Sequence, residues 1–322
     1  MDRALAKLRS PWGALSRHTI RSAVSIRGVG IHSGLATRVT LKPSATPQGV
    51  LLNGAPLSDW RLASSRWATR ITLDATSPEQ RRLPTTISTP EHLFAALYGA
   101  GVDDVEVEVE PDLPRHMHAQ RDEVEVPILD GSAARYLELI EAVPTGDGSH
   151  QRTFTQLPQL YLRGEGGSIQ SRPEPLKGAE GQMTFRLTTT LVELYPELSS
   201  RASIDAPIAA RLRASQVARL NTFQDFVNHI APARTFGLRA HEDFLRAQGL
   251  IQGVSLENTI ALDERGVPSV GLRHPHELAA HKLLDVIGDF ALSGIRWRGH
   301  LEVHRGSHAL NHALLRHLER AR

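Results

Sequence analysis

One order of elements occurs twice along the chain, and it limits the available folds more than any other feature. From Pro90 to Ala142 the pattern reads helix, strand, helix, and from His276 to Arg320 it reads helix, strand, helix again. In the first stretch, Ser88-Thr-Pro-Glu-His-Leu-Phe-Ala-Ala-Leu-Tyr-Gly99 carries clear helix punctuation. Thr89 suits the N-cap, Pro90 the first helical position, and Gly99 or Gly101 the stop. Val105-Glu-Val-Glu-Val-Glu110 alternates strictly, as a strand with one buried face does, and Ser132 to Ala142 reads as the next helix. In the second stretch His276 to Ser293 is helical, Ile295 to His304 extended, and Ala309 to Arg320 helical. The two stretches share pattern and not sequence. They predict an α+β fold of two related α/β-sandwich domains, with helices packed between two sheets.

The rest of the chain fits around these units. Thr19 to Lys42 reads as two strands about the turn Arg27-Gly-Val-Gly-Ile-His-Ser-Gly34, which lacks the strand-to-helix context and Lys-Ser/Thr ending of a phosphate loop. Pro144 to Gly181 is rich in Gly, Pro and Ser, with a short apolar run at Leu157 to Leu162, and reads as a linker and the first strand of a second unit. Met183 to Leu191 is a strand, and helical patterns cover Asn221 to His229 and Ala240 to Gln248. The expected divisions are an N-terminal extension over 1–18, a first domain over 19–145 and a second over 153–322. Met1 to Arg21 is basic and lacks an apolar segment of secretory type. It reads as a frayed extension, with an organellar transit peptide as the other option.

Composition narrows the chemistry. With 37 basic and 35 acidic residues the formal net charge is +2, and no basic stripe offers a surface for nucleic acid. No run approaches the ~20 apolar residues of a membrane span, and a cytoplasmic protein is expected. Cysteine is absent, so any metal must be held by His, Asp or Glu, ligands that more often build open catalytic sites. The 16 histidines must therefore be sorted by spacing.

On the helix from His276 to Ser293, His281, Asp285 and Asp289 recur at four-residue steps and form one slowly drifting stripe. His and Asp one turn apart can grip a single ion. A solvated polar face would give the same spacing. Glu91-His92 lies in the first turn of its helix, where the dipole favours negative charge. That field should keep Glu91 ionised and His92 neutral, the forms needed by a base and a ligand. His92 and His281 fall on corresponding helices, so with Asp285 they offer three ligands and an open position. His308 follows a glycine turn and can serve as a general acid, with Asp289 orienting it, or it can simply begin a helix. Thr235 and Phe236, in Ala233-Arg-Thr-Phe-Gly237, can donate to an oxyanion and wall a pocket, or can form no more than a loop.

Together these segments resemble the UDP-3-O-acyl-N-acetylglucosamine deacetylase family of lipid A biosynthesis. The matching stretches are Gly28–Gly34, Ser88–Leu93, Pro127–Ser132, Ala233–Gly237, Ser255–Asn258, His281–Asp289 and Gly306–Asn311, in the family's order. The resemblance implies a zinc hydrolase acting on a UDP-linked acylated amino sugar, with a monomer expected. It implies His92, His281 and Asp285 as ligands of Zn2+, Glu91 as base, His308 as acid and Asp289 as its orienting partner. Thr235 and Lys282 would bind substrate or transition state, Phe236 would lie near the sugar, and Leu238 to Ile260 would form the acyl passage. Trp60–Arg82 and Gly164–Asp205 depart from the family, no His-Pro element stands near Tyr195–Leu198, and Ala280 replaces an Arg. A paralogue acting on another N-acetyl sugar and a non-catalytic sugar-nucleotide binder are the alternatives.

Overall fold

The computed structural model describes residues 12–63, 67–75, 83–113, 122–164, 167–174, 183–200 and 205–320. Val105–Pro111 has the alternation its sequence demands, with Val105, Val107 and Val109 buried and the glutamates between them partly exposed. It sits mid-sheet, in the order Val24–Val29, Ala36–Pro43, Val105–Pro111, Val50–Leu52, Ala55–Pro56. A second sheet runs Leu160–Gly164, Gly167–Arg172, Trp297–His304, Met183–Thr189, Gln216–Leu220, with Thr155–Gln156 joined to Trp297–His304. A four-stranded sheet in the order Glu123–Glu125, Thr86–Ser88, Arg70–Leu73, Trp60–Ala63 leads into the helix Glu91–Gly99. The fold is α+β.

The helices Glu91–Gly99 and Glu277–Ala291 pack on each other, and one continuous core joins them to the five- and six-stranded sheets. Every residue of Glu277–Ala291 except Lys282 is buried. This decides between the two readings of its polar stripe: His281, Asp285 and Asp289 lie inside the protein, so the face is not solvated. Buried charge without a partner is costly, and such a stripe persists only where something compensates it.

The close crossing of the helices rests on Gly288. A Cβ there would lie 2.0 Å from the carbonyl oxygen of Glu91. Backbone cannot yield as a side-chain end can, so Gly288→Ala should force the helices apart. The expected loss is about 1–3 kcal/mol of stability, typical of overpacking, read as a lower midpoint in urea with an unchanged slope. A second long-range tie is Asp103, buried and held by Arg152 at 2.7 Å and Arg296 at 2.9 Å.

Three local expectations are corrected. The helix read over Ser132 to Ala142 is only Ala134–Leu137: the chain tightens into i→i+3 turns at Leu139 and Ile140, and Ala142–Pro144 then pairs with His18–Ile20 as a strand. Thr89 is not the N-cap: Pro90 is, while Thr89 has φ +56° and its hydroxyl donates to Glu125 at 2.9 Å. The extension is docked from Trp12 onward, with the indole donating to Gly99 O at 2.8 Å and Arg17 paired with Asp104 at 2.5 Å. The basic run before Trp12 lies outside the described residues.

Candidate metal centre

The first turn of the Glu91–Gly99 helix is aimed by a buried carboxylate. Glu125 accepts the Thr89 hydroxyl and also the backbone N–H groups of His32, at 2.9 Å, and Ser33, at 2.7 Å. A Cβ at Gly30 would lie 2.2 Å from Glu125 Oε2, which gives the glycine-rich turn its physical reason. Through Thr89, the same carboxylate sets where Glu91 and His92 enter the helix.

His92, His281 and Asp285 converge. All three are buried, and one ligand atom from each lies within 4.8 Å of the others. Asp285 Oδ1 stands 3.5 Å from His281 Nε2 and 3.9 Å from His92 Nε2. The Ala233 carbonyl, 3.1 Å from His281 Nδ1, can only accept, so Nδ1 carries the proton and the Nε2 lone pair faces Asp285. Lys282 donates to Asp285 Oδ2 at 3.2 Å, but Oδ1 is buried with no hydrogen-bond partner. Burial, reinforced by His281, pushes His92 down to about 3. Burial also lowers His281, against the pull of Asp285. Burial opposes the charge on Asp285, yet His281 and Lys282 hold its carboxyl below the usual range. Two neutral imidazoles beside an ionised, unpartnered carboxylate oxygen are a donor set that fits a divalent cation.

Beside this set stands a second group. Asp289 Oδ2 lies 2.9 Å from His308 Nδ1, leaving Nε2 to face Glu91 Oε1 at 3.7 Å and Asp285 Oδ2 at 4.0 Å. Burial opposes the charge on His308, but Asp289 prevails and pushes the imidazole up to about 10. Burial likewise opposes ionisation of Asp289, whose carboxyl is nonetheless held far below its ordinary range by His308. Glu91 corrects an expectation. Burial pushes it up to about 8, with Asp289 and Asp285 adding repulsion that His308 only partly offsets. Complete desolvation outweighs a helix dipole worth ~0.3–1 kcal/mol at ordinary sites. A divalent cation held beside Glu91 would draw it down again.

Glu91, His92, His281, Asp285 and His308 line a cavity of about 360 Å³, whose walls also include Thr235, Phe236 and Lys282. Thr235 is pinned by its backbone, donating to Gly131 O at 2.8 Å and accepting from Ile260 N at 2.9 Å. Phe236 lies edge-on to His281, with ring centroids 5.9 Å apart, and Lys282 Nζ is 5.7 Å from its ring. All the residues singled out in the sequence are thus brought to one place. Thr69 and His312, both buried against Asp289, were not singled out. His312 follows His308 by four residues, a helical spacing that could have flagged it. Nothing local marks Thr69.

A family model described as LpxC: UDP-3-O-acyl N-acetylglycosamine deacetylase matches residues 17–320. The chain belongs to that family. A UDP-3-O-acyl-N-acetylglucosamine deacetylase of Haemophilus influenzae (strain PittEE) is 31% identical over 305 residues, covering 94% of this chain and 89% of the relative. One from Oleidesulfovibrio alaskensis is 31% identical over 314 residues, covering 94% of this chain and 88% of its own. One from Geotalea uraniireducens is 29% identical over 308 residues, with the same coverages of 94% and 88%. The match spans both stretches that share the repeated order of elements, so family membership covers the whole site.

Proposed function

We propose that the chain hydrolyses the N-acetyl group of UDP-3-O-acyl-N-acetylglucosamine, giving the free amine and acetate, the committed step of lipid A biosynthesis. The observation that carries this is the buried convergence of His92, His281 and Asp285 beside an acid–base pair, in a chain of this family. Zn2+ is the ion that two imidazoles and one carboxylate suit, and when bound it supplies Lewis acidity at the amide oxygen and acidifies a water to a pKa of about 7.

The remaining chemistry belongs to side chains. Glu91 takes a proton from the attacking water as its oxygen adds to the acetyl carbon. Thr235 and Lys282, on the cavity wall, hold the developing oxyanion. The C–N bond then breaks as His308 Nε2 delivers a proton to the departing nitrogen, since an unprotonated amine is a very poor leaving group. Asp289 keeps His308 charged and directed. Phe236 borders the sugar, and Leu238, Leu245, Ile251 and Val254 give the acyl chain an apolar wall. We assign Glu91 and His92 to a domain over 19–145, and the other ligands and the acid to one over 153–322. No helix among the described residues is long and apolar enough to cross a membrane. A cytoplasmic monomer is the form we assign.

Acetate release by the zinc-loaded protein tests this reading. Turnover is expected on the 3-O-acylated UDP sugar and not on unacylated UDP-N-acetylglucosamine. Equal turnover on both, or preference for the unacylated sugar, would point instead to a paralogue of different specificity.

A further inference from the structure

Asp289 is completely buried, and the donors to its two carboxylate oxygens come from different parts of the chain. Oδ2 accepts from His308 Nδ1 at 2.9 Å and from Asn311 Nδ2 at 2.8 Å. Oδ1 is 2.5 Å from the hydroxyl of Thr69, a residue 220 positions away and itself fully buried. That hydroxyl also lies 3.0 Å from His312 Nε2 and 3.1 Å from His308 Nδ1.

Proton counting fixes the directions. A threonine hydroxyl has one hydrogen to give and two lone pairs to receive with. An ionised Asp289 can only accept, so the Thr69 hydrogen goes to Oδ1. His312 must then donate from Nε2 to Thr69, which sets its tautomer. With both oxygens engaged, the Asp289 carboxylate cannot turn about its bond to the chain, and His308 Nδ1–H has one direction to follow. The backbone of Thr69 reaches the other arm of the site, its carbonyl accepting from Thr89 N at 2.8 Å, in the turn that launches Glu91. One residue therefore touches the mounting of both the acid and the base.

We propose that Thr69 is a positioning residue for deacetylation: its hydroxyl locks the Asp289 carboxylate and thereby the direction in which His308 Nε2 faces the cavity. The inference rests on the function proposed above. It adds a role for a residue that touches neither substrate nor the candidate metal ligands. Loss of an outer hydrogen-bond partner of this kind typically costs about 10- to 100-fold in activity.

The test compares Thr69→Val, Thr69→Ala and Thr69→Ser in the zinc-loaded full chain, measuring kcat, KM, bound zinc and thermal midpoint. Val and Ala should lower kcat about 10- to 100-fold, with KM and zinc content changed less than about twofold, and Ser should recover most of the rate. Wild-type kcat in the Val variant would overturn the proposal. A Ser variant as slow as Val would also overturn it, because shape and not the hydroxyl would then matter. If Val and Ala fail to fold while Ser folds, the hydroxyl serves stability and the proposal fails. Absence of acetate release by the wild-type protein would instead sink the functional reading itself.

Discussion

Replacing Glu91 with Gln is expected to leave bound zinc unchanged and to lower kcat by about 10²–10⁴-fold, the usual worth of a positioned proton acceptor. The amide has the same shape as the acid, so the close crossing over Gly288 is preserved. It also carries no charge, at a position where burial already pushes the native carboxyl up to about 8. The thermal midpoint should therefore stay level or rise, separating lost chemistry from lost structure. Glu91 Oε2 is buried without a hydrogen-bond partner, so the native side chain keeps an acceptor free for an incoming proton. Near-normal turnover in the Gln variant would remove Glu91 from the proton transfer and leave His308 to act in both directions.

His92→Ala should empty the metal centre. Its imidazole is one of the three donors gathered there among the described residues, and a single histidine with a single carboxylate falls short of the three protein ligands usual for catalytic zinc. After dialysis, elemental analysis should find zinc falling from about one per chain to near none, and acetate release should fall with it. His308→Ala is the control, because we propose His308 as the acid and not as a ligand. It should keep its zinc while losing rate. Retention of zinc by the His92 variant would mean that the ion is held elsewhere.

The polar stripe is legible because helical periodicity is local: residues four apart on one helix must share a face, so the sequence alone fixes His281, Asp285 and Asp289 relative to one another. That the stripe points inward was not legible, since burial is decided by what packs against the helix. The ionisation of Glu91 was misjudged for the same reason. The dipole is a property of the segment and is readable there, whereas desolvation comes from Glu277–Ala291 and the rest of the core. Thr69 reaches Asp289 across 220 positions, and no pattern within a segment encodes such a meeting. The helix expected over Ser132 to Ala142 ends at Leu137, and its last expected residue, Ala142, is paired instead with Ile20, a partner over a hundred positions away that no local pattern encodes.

Anomalous diffraction at the zinc edge, from crystals of the zinc-loaded protein, addresses the metal assignment most directly. The expected result is one strong peak about 2.0–2.2 Å from an imidazole nitrogen of His92, an imidazole nitrogen of His281 and a carboxylate oxygen of Asp285. Among the described residues one other grouping, Asp289, His308 and His312, also brings ligand atoms within 4.8 Å of one another. A peak there, with none between His92, His281 and Asp285, would contradict the account.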